Sequence, residues 1–367
     1  MTELTAEDRR WLDAAVRYAS PFVGTTADEP AVAALLVDPR SQTLVSRAVT
    51  AKGGRPHAES QAIAVAGFEA AGCTLYLTLE PCHHWGRTPP CVDAIIRAGI
   101  MRVVIGAANL DPQAAGSIGH LESAGVETVL ANHAPSLALH AGHTLRHTTA
   151  RPFVTAVLVA SADGMLGRSG AGRAPIAGQP SSNWIDLQRT RADAILVGAA
   201  TARSDDPALT VALPGLALRT PLRVVLAGAG GIDRKVNLVG RFSGYRTAVI
   251  AETGVAVDAP VSVETIRVAG SQGRPDLEAA LTALGRKGIQ NLLVEPGQRL
   301  VAGLLEADLV DRFALILSPL SVGEGGVPAS PDGPIADLLG AAGLAETGRQ
   351  RLGDDTLVLY ERPSRPN

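Results

Sequence analysis

The sequence predicts a chain of two α/β domains, and three observations support this prediction. First, 367 residues are enough for two domains of ordinary size, each with its own core. Second, short apolar runs alternate with helix-like stretches in both halves, which is typical of helices packed on a mostly parallel sheet. Third, the stretch HAGHTLRHTTARP, between Ala134 and Pro152, is polar and rich in histidine. We therefore expect one domain over residues 1–145 and another over residues 152–363.

The first domain is predicted to begin with a helix, because Trp11, Ala14 and Tyr18 fall on one helical face. Pro56 is a start signal for a second helix over residues 57–70. The runs that predict the remaining elements are strands at 31–37, 43–49, 73–79, 101–107 and 126–130, and helices at 92–98 and 119–124. Together these elements indicate a layered sheet.

The histidine-rich stretch that follows is interpreted as a linker. A helix would align His140, His143 and His147, so a metal site is the alternative. No cysteine or carboxylate accompanies the three histidines, which favours a solvated linker face instead.

The second domain is also predicted to be α/β. It starts with a strand over 153–160, and the elements expected after it are strands within 193–200, 222–228, 246–252, 291–297 and 312–320, and helices over 181–191, 276–286 and 299–307. The alternation again predicts a sheet with helices packed on it.

The composition is that of an ordinary globular protein, with 46% hydrophobic residues, 19% charged residues and a formal net charge of -3. No strong positive field attracts nucleic acid, and no apolar run is long enough to span a membrane. The amino-terminal residues are acidic and lack the apolar core of a signal peptide. We therefore expect a cytoplasmic protein without a nucleic-acid or membrane partner. Three cysteines are too few for a disulfide framework, which leaves metal binding or catalysis as their use.

Two short motifs predict a zinc site. His57-Ala58-Glu59 matches the H-x-E element of zinc deaminases, and Pro81-Cys82 matches the P-C of their second element. The next cysteine, Cys91, follows after eight residues instead of the usual two. Cys91 is predicted to open a helix, and a helix amino terminus lowers the pKa of a thiol. We expect His57, Cys82 and Cys91 to hold the metal.

This pattern fits hydrolytic deamination. The reaction needs a hydroxide at neutral pH, and zinc with three protein ligands and one open position provides it. Glu59 is the candidate catalytic residue, because a carboxylate that does not bind the metal must carry the proton to the departing ammonia.

A structural zinc site in a non-catalytic binding module is the alternative, although such a site has no use for Glu59. His83 and His84 are competing ligands, but a tetrahedral site is already filled by three protein ligands and water. Cys73 starts a predicted strand and is interpreted as a small core residue.

The residues around these motifs resemble a known family. PHAE (56–59) followed by LTLEPCHHWGRTPPCVDAIIRAGI (77–100) resembles the bifunctional deaminase/reductases of riboflavin biosynthesis, for which GRTPPC is specific among zinc deaminases. The resemblance continues more weakly through ASADG (160–164), the stretch 191–211, VEPG (294–297) and the stretch 304–323. It covers nearly the whole chain.

The resemblance implies a three-layer domain of the cytidine-deaminase fold and a second domain similar to dihydrofolate reductase. The first would use zinc to deaminate a diaminopyrimidinone that carries a phosphoribosylamino group, and the second would use NADPH to reduce the ribose to a ribityl chain. A homodimer or larger homo-oligomer is also implied. In the second domain, the residues expected near NADPH are Ala160, Thr201, Asp205 and Gly297, and those expected near the substrate are Arg189, Leu209 and Glu295.

Several residues depart from the family's pattern. Val157 and Ala212 stand where the family has a lysine and an arginine, and Pro175 and Pro296 replace a tryptophan and a glycine. The stretch DEPAVA (28–33) replaces one that contains asparagine and glycine. Without this lysine and arginine, the second domain would bind a substrate phosphate more weakly, unless Arg168, Arg173 or Arg203 replaces them. The alternative function is therefore a zinc deaminase of a related pyrimidine whose reductase-like domain is non-catalytic or has another substrate.

Overall fold

The computed structural model describes residues 4–85, 89–168, 176–241, 244–330 and 333–363. The chain forms two compact units, Met1–Ala150 and Arg151–Asn367. Helix α6 of the first unit, introduced below, continues to Thr149, four residues beyond the predicted end of that domain at residue 145.

The first unit contains one five-stranded sheet. Its strands are β1 (Ala33–Asp38), β2 (Thr43–Val49), β3 (Thr74–Leu77), β4 (Arg102–Ile105) and β5 (Glu127–Leu130). Its helices are α1 (Ala6–Ala19), α2 (Ala58–Ala66), α3 (Cys91–Arg97), α4 (Ser117–Ser123), α5 (Ala134–Leu139) and α6 (Ala141–Thr149). The strand order is β2-β1-β3-β4-β5, with β1 antiparallel to β2 and β3, and with β3, β4 and β5 parallel.

Alternation along the strands places helices on both faces of this sheet. Leu35 of β1 packs in one cluster with Leu12 of α1. Leu36, the next residue, packs in the opposite cluster with Ala62 of α2 and Ile95 of α3. Neighbouring strand residues point to opposite faces, so both faces of β1 are apolar and covered. The three-layer prediction for this half is confirmed.

The prediction of a solvated histidine linker is wrong. Residues 134–149 form α5 and α6 of the first unit, and His140 and His143 are only 2% and 5% exposed. The Nε2 atom of His140 lies 3.0 Å from the Thr78 hydroxyl, and that of His143 lies 3.0 Å from Oδ1 of Asn109. These polar partners allow both imidazoles to be buried, which the composition of the stretch did not indicate.

The second unit is larger, and its main sheet has nine strands. The strands of this unit are β6 (Phe153–Ala160), β7 (Met165–Arg168), β8 (Ala194–Gly198), β9 (Leu222–Leu226), β10 (Thr247–Glu252), β11 (Val263–Val268), β12 (Gly270–Ser271), β13 (Arg274–Pro275), β14 (Asn291–Val294), β15 (Arg312–Leu317), β16 (Gly326–Pro328), β17 (Ala345–Leu352) and β18 (Asp355–Glu361). Its helices are α7 (Gln179–Arg189), α8 (Ala199–Ser204), α9 (Asn237–Gly240), α10 (Leu277–Arg286), α11 (Gln298–Glu306) and α12 (Ile335–Ala341).

The order of the main sheet is β11-β10-β9-β8-β14-β6-β15-β18-β17, parallel from β11 to β15 and antiparallel through β18 and β17. Its two faces hold separate cores, because Leu158 of β6 packs with Leu304 of α11 while Val159 packs with Ile185 of α7. Because β8, β14 and β6 are adjacent and parallel, their carboxyl ends lie at the same edge of the sheet.

In the part of the chain that the structure describes, no helix has both the length and the apolar character needed to cross a membrane.

Candidate functional site

The predicted metal ligands come together at one point in the first unit. Nδ1 of His57 lies 3.4 Å from Sγ of Cys91 and 3.7 Å from Sγ of Cys82. All three atoms lie within 4.8 Å of one another. Tetrahedral zinc with bonds of about 2.0 Å to nitrogen and about 2.3 Å to sulfur separates its ligand atoms by roughly 3.5 Å. The donor set and its spacing therefore fit zinc.

Two helix starts and one loop position these ligands. His57 is the residue immediately before α2, with extended backbone angles, so its ring projects from the end of the helix. Cys91 is the first residue of α3, and Cys82 lies in the loop after β3. The backbone N–H of Val92 donates to the Cys82 carbonyl at 3.3 Å, which joins the loop to the start of α3. The longer spacing between the two cysteines is thus compatible with a closed site.

The electrostatics favour a thiolate at Cys82 but not at Cys91: the hydrogen bond with Cys82 and burial raise the pKa of the Cys91 thiol, against the expectation from its position at a helix start. Hydrogen bonds from Cys91 and, less strongly, from His57 lower the pKa of Cys82 to about 4. The Cys82 thiol first and the nearby Glu29 carboxylate second raise the pKa of His57 to about 10. The thiolate is the form of cysteine that binds metal.

Glu59 lies in the first turn of α2 and is 3% exposed. Burial raises the pKa of this carboxyl above its ordinary value, although the nearby His57 opposes the shift. A buried carboxyl with a raised pKa is suited to accept and release a proton near neutral pH. Glu59 is therefore placed beside the metal ligands with the properties of a general acid–base group.

His57, Cys82 and Glu59 line a cavity of about 340 Å³. This volume suits a small molecule. The residues that line it are Asp28, Glu29, Pro30, Val32, Thr50, Arg55, His57, Glu59, Leu79, Glu80, Cys82, His84, Trp85, Asn109, Asp111, Gln113, Ala114, His143, Arg146 and His147. Cavity and metal ligands thus form one site.

Two polar wall residues were not predicted from the sequence. Glu80, the residue before Pro81, accepts hydrogen bonds from the backbone N–H groups of Asn109, Gly116 and Ser117 at 2.9 to 3.1 Å. His143 donates from Nε2 to Asn109 Oδ1, since that oxygen also accepts the Asp111 N–H. Burial lowers the pKa of His143 to about 4, so it contributes a neutral ring to the cavity wall.

The other candidate ligands lie outside the metal group. Among the described residues, only His57, Cys82 and Cys91 form a cluster of three or more possible metal ligands. His83 contacts the Ala114 carbonyl at 3.2 Å through Nδ1, and His84 lines the cavity. Cys73 is 3% exposed within the core of the first unit, as predicted.

In the second unit, the residues expected near NADPH follow β6, β8 and β14, whose carboxyl ends are adjacent. Ala160 ends β6, and Thr201 and Asp205 lie in and directly after α8. Gly297 precedes α11, and a Cβ atom built on it would lie 2.7 Å from the Thr201 hydroxyl oxygen. Such an edge of parallel strands, with helix amino termini, is a common nucleotide-binding position.

The residues expected near the substrate are also close together. The Arg189 guanidinium donates to Glu295 at 2.8 Å, to Asp186 at 2.9 Å and to the Thr210 carbonyl at 2.9 Å. Leu209 is buried and has a φ of 51°, an unusual backbone angle for this residue type. The positively charged Arg189 is thus already engaged by two carboxylates.

The departures from the family's pattern have different structural settings. Val157 is 4% exposed and packs in the core of the second unit, and Pro296 is buried. Ala212 is exposed, and its N–H donates to Asp186 at 2.9 Å. Pro175 and Arg173 lie outside the described residues. Arg168 and Arg203, the other candidate anchors, donate to the carbonyls of Val322 and Gly231.

Comparison with known proteins relates both units to one family. Residues 5–107 match the cytidine and deoxycytidylate deaminase zinc-binding region, and residues 152–358 match the RibD C-terminal domain. The chain is 32% identical over 336 residues to the riboflavin biosynthesis protein RibD of Escherichia coli, with 86% of this chain and 89% of that protein covered. The chain belongs to the RibD family. It is also 32% identical to RibD of Mycobacterium tuberculosis, with 94% of each covered.

Solved RibD structures have the same fold. Acinetobacter baumannii RibD superposes with a TM-score of 0.84 at 24% identity, with 99% of this chain and 100% of that chain covered. A diaminohydroxyphosphoribosylaminopyrimidine deaminase/5-amino-6-(5-phosphoribosylamino)uracil reductase from Thermotoga maritima gives a TM-score of 0.83 at 25% identity, covering 97% and 99%. The predicted fold class and the predicted deaminase/reductase family, with its zinc and NADPH cofactors, are confirmed.

Proposed function

We propose that this chain deaminates a diaminopyrimidinone carrying a phosphoribosylamino group and then reduces its ribose to a ribityl chain with NADPH. The observation that carries the proposal is the meeting of His57, Cys82 and Cys91 beside the buried Glu59, in a cavity of about 340 Å³. The substrate is the one named for the Thermotoga maritima protein of the same fold.

In the deaminase unit, His57, Cys82 and Cys91 would hold the zinc and leave one position open toward the cavity. When bound, zinc lowers the pKa of water to about 7 and so makes a nucleophile available at neutral pH. Glu59 would take a proton from the attacking water and give it to the departing amine. Its burial supports this role, because a raised pKa lets one carboxyl both hold and release the proton.

In the reductase unit, Ala160, Thr201, Asp205 and Gly297 would bind NADPH at the shared edge of β6, β8 and β14. Arg189, Leu209 and Glu295 would bind the substrate. The close approach of Gly297 to the Thr201 hydroxyl supports a backbone cradle at the start of α11, since any larger residue would fill it.

The deaminase proposal is tested with Glu59→Gln. This variant should keep one zinc per chain and lose ammonia release by about 10²- to 10⁴-fold, because the amide cannot carry the proton. Glu69→Gln is the matched control, since the same change is made at an exposed residue shortly after α2. Full deaminase activity in zinc-loaded Glu59→Gln protein would remove Glu59 from the mechanism.

The reductase proposal is tested separately by following NADPH oxidation with the deaminated product as substrate. Gly297→Ala should slow this step and leave ammonia release unchanged. Gly340→Ala is the control, because a Cβ atom at that helical position meets nothing within 4 Å. A wild-type chain that releases ammonia but does not oxidise NADPH would favour the alternative of a deaminase with an altered second unit.

The domain bounds, the location and the assembly belong to the same proposal. Residues 1–145 would be the deaminase domain and residues 152–363 the reductase domain of a cytoplasmic homodimer. Sedimentation of the purified chain tests the assembly, and a monomer at micromolar concentration would contradict it.

A further inference from the structure

We propose that Glu29 positions the metal ligand His57 by accepting a hydrogen bond from its Nε2, and that Gly54 and Arg55 hold Glu29 in place for this task. The inference rests on the proposed zinc site and adds a carboxylate that neither the H-x-E motif nor the P-C motif contains. Glu29 is a positioning residue here, since it would act through His57.

The orientation of the His57 ring leaves Nε2 available for such a partner. Nδ1 faces the sulfur atoms of Cys82 and Cys91, so Nε2 points away from the metal site. Nε2 is buried and has no hydrogen-bond partner among the described residues. Oε2 of Glu29 lies 3.8 Å from it. A ring that binds metal through Nδ1 carries its proton on Nε2, and a small approach of Glu29 would pair that proton.

The backbone of Glu29 is fixed by a turn. Its N–H donates to the Thr26 carbonyl at 3.2 Å, and the Thr26 hydroxyl donates to the Glu29 carbonyl at 2.7 Å. Thr26 is 3% exposed, which keeps water from competing for these bonds. The side chain of Glu29 therefore starts from a defined position.

Gly54 gives this side chain the space it occupies. A Cβ atom built on Gly54 would lie 2.6 Å from Cγ of Glu29 and 2.9 Å from the Thr26 carbonyl oxygen. Gly54 also has a φ of 94°, which side chains rarely tolerate. Both its small size and its backbone angle are thus required for Glu29 to reach the metal site.

Arg55 holds the other carboxylate oxygen. Its guanidinium donates to Oε1 of Glu29 at 3.0 Å, which leaves Oε2 directed at His57. The two side chains are 25% and 30% exposed, so the ion pair adds little to the stability of the fold. The main effect of the ion pair is to orient the Glu29 carboxylate. Because Arg55 holds Oε1, the position of Oε2 beside His57 is also fixed.

A carboxylate paired with a metal-binding imidazole fixes the tautomer and the ring angle, and its loss typically weakens metal affinity about 10- to 100-fold. Glu29→Ala in the full-length chain should therefore weaken zinc binding by about that factor, measured by competition with a chromophoric chelator. Glu29→Gln should lose less, since its amide oxygen still accepts the hydrogen bond. Gly54→Ala should resemble Glu29→Ala.

Asp111→Asn is the matched control, because it removes one carboxylate charge from the same cavity without touching His57. Its zinc affinity should equal that of the wild type. A general loss of cavity charge would instead weaken Glu29→Gln and Asp111→Asn equally, and that result would overturn the proposal.

A second measurement reads the hydrogen bond itself. With ¹⁵N-labelled histidine and bound zinc, the Nε2–H proton of His57 should exchange slowly with solvent in the wild type and faster in Glu29→Ala. Equal exchange rates together with equal zinc affinities would refute the role of Glu29. If the wild-type chain itself bound no zinc, the proposed deaminase function would fail first, so the two failures are distinguishable.

Discussion

Asp8 is predicted to stabilise the first unit in a pH-dependent way. Its side chain is 2% exposed, and Arg102 donates to both carboxylate oxygens, at 2.6 and 3.1 Å. The N–H and hydroxyl of Thr5 also donate to it, at 3.0 and 2.8 Å. Burial raises the pKa of Asp8, but the bonds with Arg102 and then Thr5 outweigh burial and lower this pKa from 3.8 to about 2.

The size of the effect follows from this shift. The pKa falls from 3.8 to about 2, and at about 1.4 kcal/mol per pKa unit this corresponds to about 2 kcal/mol. The pKa in the folded state is the lower one, so the stabilisation is complete above the unfolded value and disappears as the pH falls through the folded value. Asp8→Asn should therefore lower the free energy of unfolding by about 2 kcal/mol at pH 7, and the difference should shrink from about pH 4 toward pH 2.

The assay is urea unfolding of the full chain, followed by fluorescence of Trp11, which stacks on Tyr76 with ring centroids 6.1 Å apart. Replacing Trp85 and Trp184 by phenylalanine makes this signal specific for the first unit. Glu7→Gln is the control, because the neighbouring exposed pair with Arg10 contributes less than about 0.5 kcal/mol. A loss for Asp8→Asn that is equally large at pH 3 and pH 7 would refute the electrostatic reasoning.

Three further predictions concern other parts of the chain. Zinc removal by a chelator should lower the melting temperature of the first unit and leave that of the second unchanged in calorimetry, because the residues that would hold the metal lie on separate elements of the first unit. Asp311→Asn should destabilise the second unit by about 3 kcal/mol in urea unfolding, because it leaves the half-buried Arg151 without the carboxylate that lies 2.7 Å away. Glu361→Gln is the control: it breaks the more exposed pair with Arg312 and should cost less than about 1 kcal/mol. Gly106→Ala should lower the stability of the first unit by about 1 to 3 kcal/mol, because the added Cβ would lie 2.6 Å from the Cβ of Ser136. Gly119→Ala should not lower the stability, because its added Cβ would meet no atom within 4 Å.

The metal site was predictable because its ligands depend on local rules. Pro56 marks the start of α2, and the apolar run before Pro81 marks a strand that leads into Cys82. With these elements and the helix that Cys91 opens, the zinc-deaminase motif predicts that His57, Cys82 and Cys91 lie together. The strand and helix bounds differ from prediction by only a few residues, as is usual for helix and strand ends.

The surroundings of the metal site were not predictable in the same way. Glu29 and Gly54 lie in irregular loops. Their close approach depends on the positive φ of Gly54, which cannot be predicted from the periodicity of apolar residues. His140 and His143 are polar residues, which predicts exposure, but their hydrogen bonds with Thr78 and Asn109 permit their burial. Pairwise polar contacts of this kind join residues distant in sequence, so composition assigns them to the surface.

In the second unit, the sequence likewise does not reveal the partners of a charged residue. The sequence identifies Val157 and Ala212 as residues without charge at positions where the family has cations. It does not indicate that Arg189, which is expected near the substrate, is bound by Asp186 and Glu295. A group that competes for Arg189 must replace at least one charge-assisted bond, which makes the guanidinium a weaker anchor than its charge alone implies. The strength of that anchor is therefore set by neighbours 3 and 106 residues away along the chain, and only the folded arrangement reveals both.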